Sequence, residues 1–209
     1  MSVRVILEIV PGAITQEVWS SVYDETLKVL RAHPTGLMGC DIRTLEETET
    51  LVFTRALECD ADSPGRRRWS VAGDRATLRA GETQWFFHSI EHYRNLAPER
   101  DQADADDILL QVARSRDGAP PLVEVFGGNT RGAPHHVPLL AAAMVVEDRL
   151  PESAMVRGDI DPGQCLRAQE LVRDALGRDV KLPVRVDAVA LHERLRARYE
   201  VSFDEGLFS

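Results

Sequence analysis

Lysine is almost missing from this 209-residue chain. Lys28 and Lys181 are the two present, and every other basic residue except histidine is arginine. The arginines are scattered, apart from Arg66-Arg67-Arg68 after Ser63-Pro64-Gly65, so they read as a coding bias and a hairpin mouth, not as an anion site. Acidic residues outnumber basic ones, with a net charge of -9 and a pI near 5.2. That balance disfavours a nucleic-acid or anionic-membrane surface and fits solubility or a basic protein partner. The three cysteines, Cys40, Cys59 and Cys165, are too few and too far apart for a disulfide framework or a zinc site. They read as small core residues in a reducing cytoplasm.

Long apolar runs are also missing. The longest, Val137 to Val146, contains Pro138 and ends at Glu147, well short of the roughly 18 apolar residues that span a bilayer. The N-terminal MSVRVILEIVPG has a short apolar stretch without a small-residue cleavage site, so it reads as a strand, not a signal peptide. Catalytic signatures are missing too: no G-x-S-x-G, H-E-x-x-H or paired C-x-x-C, no phosphate loop and no dinucleotide fingerprint. No cofactor or metal is expected on these grounds.

What remains is the pattern of an ordinary globular protein, 44% hydrophobic and 28% charged, and long enough to bury a core. Val3 to Val10 is a β-branched apolar run stopped by Pro11-Gly12, a strand followed by a turn. Val18, Trp19, Val22, Tyr23, Thr26, Leu27 and Leu30 then recur at helical spacing, which predicts an amphipathic helix over 15–31 resting on that strand. Segments 49–58, 68–72 and 83–88 read as an antiparallel meander, with Trp69, Trp85, Phe86 and Phe87 as core aromatics.

Breaker-rich and polar stretches at 98–107 and 114–121, around a short helical stretch at 108–113, suggest a seam over 98–120. It divides a sheet-rich part, 1–97, from an α/β part, 121–209, with one continuous domain as the alternative. The second part predicts a strand at 122–126, a Gly-rich loop, a helix to Arg149 that is apolar nearly all round and therefore buried, and a strand at 154–156. Asp161 then caps a helix with Pro162 at its first position and Gly177 at its end. A last helix covers 186–199. The fold class is α+β: an N-terminal antiparallel-rich sheet with a packed helix, then a C-terminal strand-loop-helix-strand-helix portion.

Three sets of residues are candidates for chemistry. The loop Gly127-Gly128-Asn129-Thr130-Arg131-Gly132 precedes a helix, where backbone amides can approach an anion. A tight turn explains the same glycines, and Gly127, Gly128, Asn129 and Arg131 are the binding candidates. His135 and His136 point about 100° apart on a helix start, so one of them, not both, would work with Asp159 or Asp161 in acid–base or metal-assisted chemistry. Capping and turn roles account for Asp159 and Asp161 without catalysis. Asp101, Asp104, Asp106 and Asp107 lie in the most polar segment, where carboxylates can steer a basic partner electrostatically or simply solvate a linker.

The preferred expectation is a cytoplasmic protein-binding module of a bacterial system, an inhibitor, immunity-type or regulatory protein, with a protein partner and neither nucleic acid nor membrane. The alternatives are a hydrolase-like or metal-assisted enzyme using His135 or His136 with Asp159 and Asp161, and a structural component or N-terminal domain of a larger protein. The missing motifs tilt the choice away from an enzyme.

Overall fold

A computed structural model describes residues 2–32, 38–45, 48–55, 67–74, 79–96, 109 and 122–206. Its centre is β1, Val5–Ile9, whose Val5, Leu7 and Ile9 are fully buried while Ile6 and Glu8 face the other way. A central strand is paired along both edges, and β1 obtains both partners from far along the chain. It pairs antiparallel with Val123–Phe126 on one side (Ile9 opposite Val123) and with Ala154–Gly158 on the other (Ile9 opposite Ala154). The fold class is α+β with antiparallel sheets.

After β1 a short 3-10 turn, Pro11–Ala13, leads into helix α1, Gln16–Ala32. Its buried face is Trp19, Val22, Tyr23, Thr26, Leu27, Val29 and Leu30, the face expected from the spacing except that Val29 joins it and Val18 is 40% exposed. Two hairpins follow. Strands β2 (Met38–Leu45) and β3 (Thr48–Arg55) pair in register, and β4 (Arg68–Asp74) pairs with β5 (Arg79–Phe87). The sequence reading missed β2, because MGCDIRTL mixes glycine and charge with its apolar positions and the two-residue connection, Glu46-Glu47, carries no turn signature. It also missed the short helix α2, Ile90–Arg94. The helical stretch anticipated at 108–113 lies outside the described residues except for Leu109.

The β4–β5 hairpin brings aromatic mass onto α1. Phe86 stacks between Trp19 and Trp69, at 4.8 and 5.0 Å between ring centroids, and Tyr93 meets Trp19 edge-on at 5.4 Å. Each polar atom of these rings that is buried in the cluster is used. Trp19 Nε1 donates to the Phe87 carbonyl, Trp69 Nε1 donates to Thr26 Oγ1, and Tyr93 Oη accepts from the Phe87 amide. Burial of large rings with their polar atoms paired is the most favourable use of such residues. The expected core aromatics are therefore core for Trp69 and Phe86, whereas Trp85 is 37% exposed with Arg68 stacked 4.5 Å from its ring centre.

Strand β6, Val123–Phe126, leads through the glycine loop to α3, His136–Arg149, which is buried from Pro138 to Glu147 as its all-round apolar sequence requires. Strand β7, Ala154–Gly158, turns into α4, Pro162–Leu176. The predicted cap is present in full: Asp161 accepts from the Gln164 amide at 2.8 Å, and Gln164 reaches back to the Asp161 amide. Gly177 ends the helix at φ 67°, a left-handed conformation that glycine adopts freely. The last helix, α5, is Ala188–Gly206.

Helices α1, α3 and α4 share one core with the inner face of β6-β1-β7. On the opposite face, Val10, Met155 and Val184 meet Leu109, with Leu191 and Leu195 of α5 packed on them. The seam anticipated at 98–120 lies outside the described residues apart from Leu109. The strands on its far side share a sheet with β1.

Candidate functional site

The glycine loop is spent on its own fold. The amide of Gly128 donates to Gln84 Oε1, that of Asn129 to Glu82 Oε2, that of Thr130 to the Val3 carbonyl, and that of Arg131 to Asn129 Oδ1. An anion would have to displace these bonds, so the loop offers no ready cradle. Its role is to bring β5 against β1: the Glu82 amide donates to the Asn129 carbonyl at 2.9 Å, and the Val3 amide to Asn129 Oδ1 at 3.0 Å. Gly81 is required at that crossing, since a Cβ there would collide with the backbone of Asn129 and Thr130.

Both histidines are buried, His135 wholly and His136 to 3% exposure. The Thr130 hydroxyl donates to the Val3 carbonyl, which can only accept, and Thr130 Oγ1 lies 2.7 Å from His136 Nδ1. That geometry assigns the ring proton of His136 to Nδ1 and leaves a lone pair on Nε2. Gln164, Asp159 and Asp161 favour the charged ring, while Nε2 has no hydrogen-bond partner among the described residues. Burial outweighs these influences and holds the ring below the usual histidine range.

The fold thus assembles the histidine and aspartate set that the sequence suggested, but around His136 alone. The carboxylates there already have partners: Asp159 Oδ2 accepts from the Arg4 amide at 2.9 Å, and Asp161 caps α4. Among the described residues no group of three or more His, Cys, Asp or Glu side chains is placed to hold a metal ion. His135 stands apart. Neither of its ring nitrogens reaches a partner among the described residues, and burial lowers its pKa to about 4, with His136 adding to the effect. Asp101, Asp104, Asp106 and Asp107 lie outside the described residues.

A cleft of about 610 Å³ opens elsewhere, between the C-terminal end of α3, the 177–187 segment that joins α4 to α5, and α5 itself. Met144, Leu182, Pro183 and Ala190 supply apolar wall. Glu147, Asp148, Glu152, Asp187 and Glu193 supply carboxylates, against Lys181 and Arg194 as the cations. Several of these carboxylates also build the wall. Asp148 binds Arg178 at 2.8 Å and accepts from the Lys181 amide, and Asp187 accepts from the amides of Val189 and Ala190 to start α5. Arg178 also binds Glu25, which ties α1 to the same segment.

Glu147 is the residue that sequence reasoning passed over, as the polar end of an apolar helix. It is 5% exposed, and each carboxylate oxygen accepts one backbone amide at 2.7 Å, Val184 on Oε1 and Val156 on Oε2. The Val156 amide lies on β7, which among the described residues has β1 as its one strand partner, so Glu147 satisfies part of the edge left open there. Burial raises its pKa to about 7, against the opposing pull of the two amides and of Arg194, while Asp148 adds to the rise. The one sequence signal was a carboxylate ending a buried stripe, a pattern that needs a polar partner supplied by tertiary structure.

Comparison of the chain with protein-family models, with curated proteins and with solved structures returns no match. Among the described residues no helix is long and apolar enough to cross a membrane.

Proposed function

We propose that this chain is a protein-binding module for a basic partner, acting in the bacterial cytoplasm as an inhibitor, immunity-type or regulatory protein, with neither nucleic acid nor membrane as its target. The observation that carries the reading is the cleft, lined by five carboxylates and two cations beside apolar wall, with Glu152 and Glu193 exposed on its rim. A long basic side chain has the complementary form, an apolar stem with a cationic head. The net charge of -9 supports the same partner through long-range attraction. The enzyme alternative is weaker, because His135 and His136 are both buried and the carboxylates beside His136 are engaged by backbone amides.

The test is an association measurement. A partner isolated by affinity capture is mixed with the wild type and with the Glu152→Gln/Glu193→Gln double variant, both changes lying on the exposed rim of the cleft. Exposed charges act chiefly on the association rate, so the variant should associate several-fold more slowly and show a flatter salt dependence. The salt series should run from about 50 to about 300 mM, bracketing the ~10 Å screening length at 0.1 M. Equal rates for the two proteins, or an acidic partner, would reject the cleft as the interface. Turnover of a small substrate that disappears in His136→Ala would reject the module reading itself.

A further inference from the structure

Glu147 joins three parts of the fold through one carboxylate. It projects from α3, accepts the β7 amide of Val156 and the amide of Val184 in the 177–187 segment, and lines the cleft at the same time. Its neighbours are charged on several sides. Asp148 and Glu152 follow it on α3 and the next turn, Lys181 and Asp187 lie on the segment, Glu193 and Arg194 on α5, and Cys165 on α4 also feels its charge. An ionised carboxylate only accepts, so it can take both amides at once. A protonated one must place an O–H, and its hydroxyl oxygen is a poor second acceptor. The two amides are therefore held together only by the charged form.

The two are not held equally. Val156 belongs to β7, fixed along its length to β1. Val184 lies outside helix and strand: its side chain packs on Val10, Met155 and Leu109, the segment is tied before it by Gln169, Asp148 and Arg178 and after it by the Asp187 cap of α5, and no strand ladder holds its amide. Loss of one acceptor would therefore free the Val184 amide, while β1 keeps Val156 in its ladder.

We infer that Glu147 is a proton-operated latch: ionised, it holds the Val184 amide in the wall of the cleft, and on protonation it releases that hydrogen bond and loosens the wall there. As a control on cation binding this rests on the function proposed above. The latch itself does not, because it is defined by two amides of this chain. Burial places the transition near neutrality, at a pH of about 7.

The experiment is an NMR titration of the intact chain from about pH 5.5 to about pH 8.5, a window centred on the ionisation. It follows the Glu147 side-chain carboxyl carbon and the amides of Val156 and Val184. The carboxyl carbon and the Val184 amide should move together through one transition. Hydrogen-exchange protection of Val184, corrected for intrinsic rate, should fall about two- to tenfold on the acid side, the range for one net hydrogen bond. In Glu147→Gln the Val184 transition should vanish. A wild-type Val184 amide that does not follow the carboxyl carbon overturns the latch without reference to any variant, and so does a transition that persists in Glu147→Gln. The n-butylammonium ion, a cation throughout this window, serves as the cleft probe, read at the Met144 methyl group. Equal binding across a completed latch transition overturns any control of the cleft by the latch. A probe that binds at no pH counts against the basic-partner reading, while the titration still decides the latch.

Discussion

Replacing Trp19 tests whether the α1 face seats on the aromatic cluster as described. The side chain is fully buried, stacks on Phe86 at 4.8 Å, meets Tyr93 edge-on and donates its indole N–H to the Phe87 carbonyl at 2.9 Å. Truncation of such a ring to alanine costs about 3–5 kcal/mol, most of it lost burial and the cavity left behind. The hydrogen bond is the smaller contribution, about 0.5–1.5 kcal/mol net. Trp19→Phe, which keeps most of the ring and loses the donor, should therefore lose clearly less than Trp19→Ala. Val18 is the internal control: it is 40% exposed on the same helix, and Val18→Ala should change stability by no more than about 0.5 kcal/mol. Urea unfolding followed by far-UV circular dichroism gives all three values. For a chain of this size the alanine variant should melt about 6–20 °C lower. A loss under about 1 kcal/mol in Trp19→Ala, or equal losses at positions 18 and 19, would refute the seating of α1.

Two further outcomes follow from the polar groups. Asp161→Ala should lose about 0.5–2 kcal/mol through the broken cap of α4, and Asp161→Ser much less; a metal or an activity lost with stability intact would instead give Asp161 a functional role. For His135 the folded pKa lies below its unfolded value, about 4 against 6.5, so the unfolded state takes up the proton first. Stability should therefore fall as the pH drops from about 6.5 towards about 4, by up to ~3 kcal/mol, and His135→Leu should flatten that slope. Urea midpoints at pH 7 and pH 4.5, compared between the two proteins, isolate this effect from Glu147. The raised pKa of Glu147 has the opposite sign and weakens the fold as pH rises through about 7. Parallel slopes would show that His135 is not held neutral by burial.

The sequence by itself determined the elements whose signals are local. A helix closes its hydrogen bonds within its own segment, so the spacing of Trp19, Tyr23 and Leu27, the unbroken apolar run of α3, and the Asp161-Pro162 start and Gly177 stop of α4 were legible without neighbours. It also supplied the residues now gathered at His136, because Thr130, Asp159 and Asp161 stand at element ends where polar groups serve as caps and turns. Tertiary structure alone decided what those elements join. A strand leaves its backbone groups to be satisfied by other strands, and no local period says which. So β1 lies between β6 and β7, and β2 was hidden behind glycine and charge. The same holds for polar groups in the core. The Val3 amide meets Asn129 across 126 residues, and Glu147 meets Val184 across 37. Burial and partner set the chemistry of such groups, and both come into being only when distant segments fold together.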